Sequence, residues 1–106
     1  MPNVYVVHLK DFDVSRAAAY GTLIPMFTGK INIFNVTALA FQVKEKLKDY
    51  KKEDYLLLTG NLVLSALAVA AVVQNFKTAN LLVFDIKRNE YLPRTLADSH
   101  LDMGRS

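Results

Sequence analysis

The segment from Tyr55 to Phe76, YLLLTGNLVLSALAVAAVVQNF, constrains the fold of this chain more than any other. It opens on an apolar run, passes through Thr59-Gly60-Asn61 and continues into a stretch rich in Leu, Val and Ala. This pattern predicts a buried strand, a tight turn and a helix over Leu62 to Phe76. Apolar side chains occupy nearly every azimuth of that helix. It is therefore expected to be covered on every side, by its own sheet, by neighbouring helices or by a second copy of the chain. Tyr55 to Val73 carries no charge over nineteen residues, which is long enough to raise a membrane span. The Thr-Gly-Asn break, the strand-like first part and the further apolar run Leu81 to Phe84 favour a sheet protein instead, with no membrane partner.

Upstream, Val4 to Leu9 is β-branched and apolar between Pro2-Asn3 and Lys10-Asp11, and reads as a buried strand. Asp13 then serves as an N-cap for a short alanine-rich helix that stops at Gly21. Thr22 to Phe27 is strand-like, and Pro25 assigns it to an edge because proline cannot donate to a ladder. Ile31 to Phe34 is a short extended piece after the turn Thr28-Gly29-Lys30. Asn35 caps a helix whose Val36, Leu39, Ala40, Val43, Leu47 and Tyr50 form one stripe, with charged residues opposite. Lys51 to Asp54 is a charged connector. Leu81 to Ile86 is a further strand, Lys87-Arg88-Asn89-Glu90 a hairpin turn with Asn89 left-handed, and Tyr91 to Leu96 its antiparallel partner.

Strand and helix alternate as in a mainly parallel sheet with helices on both faces. The expected fold is α/β, a three-layer Rossmann-like or flavodoxin-like sandwich of about five strands, closed by the C-terminal antiparallel hairpin. Residues 1–96 form a single domain and 97–106 a flexible tail. Hydrophobic residues make up 52% of the 106-residue chain and charged residues 22%, as in a folded protein. A formal net charge of +3 is a mild excess, and the lysines between Lys44 and Lys52 are interleaved with Glu45 and Asp49. A nucleic-acid patch needs a face of one sign, so this segment reads as a solvated helix end. The absence of cysteine excludes disulfides and thiolate chemistry, and the N-terminus lacks the features of a secretory signal, so a cytoplasmic protein is expected.

In such a sheet the ligand crevice lies at the carboxyl ends of the strands where their order reverses, here between the first strand and the central one. The loops delivered there supply the candidates Asp11, Asp13, Thr59, Gly60 and Asn61. Gly60 admits close backbone approach and the following helix start favours an anion, though the needs of the turn account for the glycine and capping accounts fully for the asparagine. Asp11 and Asp13 are weighed as magnesium ligands against loop solvation and capping. His8 alternates with Val7 and Leu9 and reads as packed or hydrogen-bonded. No catalytic residue, metal site or cofactor is assigned, since the glycine-rich and Walker spacings are absent. Leu64, Leu67, Ala68, Ala71 and Val72 are the candidate interface of a homodimer, because small side chains permit close approach about a two-fold axis.

The runs YGTLIPMFTGKINIFN, KKEDYLLLTGNLVLSALA and NLLVFD followed by EYLPRTL resemble small bacteriophage-encoded proteins of unassigned function. The resemblance extends to Leu96 and implies a protein of the host cytoplasm that acts by binding a host or phage component. The layout is also similar to small viral proteins that bind signalling nucleotides in a dimeric α/β sandwich. Those use a histidine after the turn glycine, where this chain has Asn61. Two readings follow: association with a protein partner as a homodimer, and binding of a nucleotide or phosphate ligand with weak phosphoesterase activity.

Overall fold

The structure, a computed structural model, describes residues 1–10, 13–32 and 34–104. Five strands, β1 (Asn3–Leu9), β2 (Thr22–Thr28), β3 (Tyr55–Leu57), β4 (Thr78–Asp85) and β5 (Glu90–Ala97), form one sheet in the order β2-β1-β3-β4-β5. The first four run parallel and β5 pairs antiparallel to β4, from Thr78 opposite Ala97 to Asp85 opposite Glu90. The fold is thus a mixed α/β sheet with a C-terminal hairpin. Helices α1 (Val36–Lys46) and α2 (Leu62–Phe76) supply the crossovers into β3 and β4.

β1 is buried from Val4 through His8, as a strand covered on both faces must be. Its odd residues Tyr5 and Val7 meet Leu39 and Val43 of α1 and Leu64, Ala68 and Val72 of α2. Its even residues Val4 and Val6 meet Val14, Ala17, Leu57 and Leu82. Steps from β1 to β2 and from β2 to β3 run in opposite directions along the sheet, so crossovers of one hand put their connections on opposite faces. The two coverings are unequal. One face carries both α-helices, while the other has the 3-10 helix Ser15–Ala19 beside the Phe84–Tyr91 aromatic pair.

Several elements depart from expectation. The first helix is a 3-10 helix whose N-cap is Val14, without a side-chain cap bond; Asp13 lies one residue upstream and accepts the Ser15 amide in a local turn. β4 begins at Thr78, directly after the C-cap of α2 and three residues before the expected start at Leu81. Lys77 reverses the chain in the left-handed region at φ 66°. Of the segment Ile31 to Phe34, Ile33 lies outside the described residues, Ile31 and Asn32 are not in a strand, and Phe34 is 92% exposed. The C-terminal segment starts with a 3-10 helix, Asp98–Leu101.

The largest correction concerns α2. Leu64, Ala68, Val72 and Val73 are buried, but Leu62, Ala66, Ala70 and Gln74 face water. The wet stripe is tolerated because alanine exposes little apolar area while being the best helix former. Near the edge of β1, Gly21 is required by contact: a Cβ there would lie 2.1 Å from the Pro2 carbonyl oxygen.

Candidate functional site

At the carboxyl ends of β1 and β3 the chain ties its loops together with side chains. Thr59 Oγ1 donates to the His8 carbonyl at 2.9 Å and accepts the His8 amide at 3.3 Å. The His8 ring, 5% exposed, reaches two further loops. Nδ1 accepts the Asn61 amide at 3.1 Å and Nε2 meets the Gly29 carbonyl at 2.5 Å. An amide only donates and a carbonyl only accepts, so these partners assign the neutral ring protonated on Nε2. Gly60 fits under this ring at φ 70°; a Cβ would stand 2.5 Å from His8 Nδ1. His8 thus works as a positioning residue that joins β1, the turn after β2 and the start of α2.

This knot takes up three of the amides that an anion at this helix start would use. Asn61 Oδ1 accepts the Val63 and Leu64 amides at 2.8 and 3.2 Å, and the Asn61 amide is held by His8. Phosphate binding at a helix start relies on such amides being available. Thr59, Gly60 and Asn61 are brought together, but as a satisfied cap and turn. Asp13 is exposed and stands across a cleft of about 290 Å³ from Thr59, with Val14, Phe84 and Tyr91 between them. The Ser15 hydroxyl and amide hold the Asp13 carboxyl below its ordinary range, with Arg16 a lesser contributor. Asp11 lies outside the described residues. Among the described residues, no three His, Asp or Glu side chains are placed to share a metal ion, and no buried side-chain polar atom lacks a partner.

The surroundings are apolar. A second cleft, of about 280 Å³, adjoins the first and is lined by Leu57, Leu58, Leu82, Val83, Phe84 and Tyr91 together with Thr59. Leu58, Val83 and Phe84 are 38%, 49% and 42% exposed at its rim. Phe84 and Tyr91 pack edge to face at 5.1 Å, and the Tyr91 carbonyl accepts the Tyr20 hydroxyl at 2.7 Å. Burial raises the Tyr91 phenol above its ordinary value, and Asp13 adds to the effect. The site is therefore an apolar shelf at the mouth of β3 and β4, beside a polar knot that is closed from within.

Of the five interface candidates, Leu64, Ala68 and Val72 are spent on the chain's own core, at 0%, 0% and 1% exposure. A second copy cannot touch them without opening the domain. Leu67 and Ala71 remain half-buried along the groove between α1 and α2. Sequence reasoning missed Asp54, which is 2% exposed at the opposite end of the sheet. Its carboxylate accepts the Asn3 amide at 2.9 Å and the Lys51 amide at 2.8 Å, and its carbonyl accepts the Tyr50 hydroxyl at 2.8 Å. The signal was its place directly before a buried strand.

No helix among the described residues is long and apolar enough to cross a membrane. In comparison with known proteins, the family model described as Phage Pam3 gp32-like protein matches residues 2–97. No curated protein and no solved structure matches the chain.

Proposed function

The chain belongs to the Phage Pam3 gp32-like family, and from that premise we propose that it is a phage protein of the host cytoplasm that acts by association and carries out no chemistry of its own. It pairs with a second copy and offers the strand-end shelf to a host or phage protein. The observation that carries this reading is the contrast at the carboxyl end of the sheet. The polar groups there are satisfied internally, whereas Leu58, Val83 and Phe84 stand open to solvent around an apolar cleft. Clustered apolar exposure of this kind marks an interaction surface. Proline stands in both outer strands, Pro25 in β2 and Pro93 in β5, which favours association through a face over strand addition at an edge.

We read the sheet as flavodoxin-like. The order β2-β1-β3-β4-β5 supports this, since it reverses between β1 and β3 as that architecture does. The nucleotide- or phosphate-binding alternative is left with Asp13 and Thr59 at a cleft mouth and a helix start at which the Asn61, Val63 and Leu64 amides are occupied.

Sedimentation velocity of the purified chain from low to high micromolar concentration tests the reading. The expected result is a reversible dimer, and Val83→Glu with Phe84→Glu should leave it intact, because the shelf is kept for another partner. A monomer throughout, together with a melting temperature raised by nucleotides, would replace association with ligand binding.

A further inference from the structure

A second concavity runs between α1 and α2. Two cavities of about 260 and 170 Å³ adjoin along it and share Lys44, Ala71 and Asn75. Their apolar floor includes Leu47, Val72 and Phe76 in one and Val43 and Leu67 in the other. Lys44 and Lys48 stand at the rim, and among the described residues no carboxylate lines either cavity. The Lys44 ammonium lies 4.8 Å from the ring centre of Phe41, itself 64% exposed. Lys48 pairs with Glu45 at 3.1 Å, both well exposed, a pairing that contributes little and exchanges easily. The larger cavity falls below the usual small-molecule range of about 300–1,000 Å³, a size suited to one or two apolar side chains of a polypeptide.

The chain carries a segment of matching chemistry. Residues 98–103, Asp-Ser-His-Leu-Asp-Met, follow β5, and every described residue from Asp98 to Gly104 is exposed. Leu101 and Met103 are 51% and 76% exposed, an unfavourable placement for apolar side chains beside two carboxylates. Asp98 and Asp102 are four residues apart, as are Lys44 and Lys48. The segment is anchored by the Asp98 amide, which donates to the Lys77 carbonyl at 2.8 Å. It leaves from β5, the outer strand beyond β4, whereas the groove lies on the α1 side of α2. Although its anchor lies at the C-cap of α2, next to Phe76 of the groove, the segment does not enter its own groove, since every described residue from Asp98 to Gly104 is exposed.

We infer that the α1–α2 groove of one protomer receives residues 98–103 of a second copy. Leu101 and Met103 enter the apolar floor, and Asp98 and Asp102 face Lys44 and Lys48. Reciprocal exchange about a two-fold axis closes the dimer and leaves the strand-end shelf free. This inference rests on the self-association reading and supplies its interface.

The test compares full-length chains by sedimentation velocity. Lys44→Glu with Lys48→Glu, and separately Asp98→Lys with Asp102→Lys, should each raise the dimer dissociation constant about tenfold or more, and combining all four should recover most of the loss. Leu101→Ser with Met103→Ser should give a monomer. These tail positions are exposed, so an unchanged melting curve shows that folding is not the cause. Variants that dimerise like the wild type, or a charge exchange that recovers nothing, overturn the groove as the interface while self-association stands. A wild-type chain that is monomeric at high micromolar concentration removes both.

Discussion

The two ends of the sheet are closed by different chemistry. At the carboxyl end a neutral histidine, His8, ties strand β1 to two loops with one ring donor and one ring acceptor. At the amino end a carboxylate, Asp54, gathers the Asn3 and Lys51 amides, and the Tyr50 hydroxyl and the Asn80 amide converge on its carbonyl. The amino end is then sealed by rings, with Tyr50 packed at 5.3 Å against both Tyr5 and Phe76. At the carboxyl end the described residues supply one ring pair, Phe84 on Tyr91, and Leu58, Val83 and Phe84 border it in the open. A polar knot therefore does not make a site by itself. What distinguishes the carboxyl end is the apolar surface of Leu58, Val83 and Phe84 exposed around it.

The largest effect that would probe this contrast is at Gly60. Gly60→Ala forces a left-handed alanine against the His8 ring, and a loss of about 3 kcal/mol is expected in urea unfolding. A loss below about 1 kcal/mol would show that the knot is slack. Asp54→Ala, at the other end, should cost about 2–3 kcal/mol, because two backbone amides lose a charged acceptor.

A pH effect should separate the two ends next. Burial, then Asp54 and Tyr5, push the Tyr50 phenol well above its ordinary value of 10.0. The folded chain holds that proton after the unfolded chain has released it. The contribution is therefore complete below about pH 10 and is lost as pH rises further, by at most about 1.4 kcal/mol per pH unit for one proton. Tyr50→Phe should flatten that slope in thermal unfolding measured between pH 9 and 11, whereas His8→Gln should not change it. The smallest expected effect is a gain. Lys77→Gly relieves a left-handed lysine at the C-cap of α2 and should stabilise the chain by about 0.5–1 kcal/mol in the same unfolding assay.

Much of the architecture was legible because it follows from local rules. Alternation and crossover handedness anticipated the sheet, Asn35 and Asn61 both cap as expected, and Asn89 takes the left-handed turn. Thr59-Gly60-Asn61 was legible as a turn, but not as a closed one. Its partner His8 is some fifty residues upstream, and only the pairing of β1 with β3 brings them together. Asp54 was missed for a related reason: among Lys51, Lys52 and Glu53 it resembles a solvated charge, its place before a buried strand is its one sequence mark, and its burial depends on the arrival of Asn3. The wet stripe of α2 was misjudged because alanine counts as apolar in a pattern yet exposes little surface. Asp11, suggested together with Asp13, lies outside the described residues.

The claim at the centre is that the switch point between β1 and β3 is closed and that the protein works through its apolar surfaces. An NMR titration of the full chain with inorganic phosphate and with nucleotides, with and without magnesium, tests it most directly. A closed knot leaves the Gly60, Asn61, Val63 and Leu64 amides unmoved at millimolar ligand, with His8 remaining protonated on Nε2. Saturable shifts at those amides, or a change in the His8 ring on adding phosphate, would contradict it.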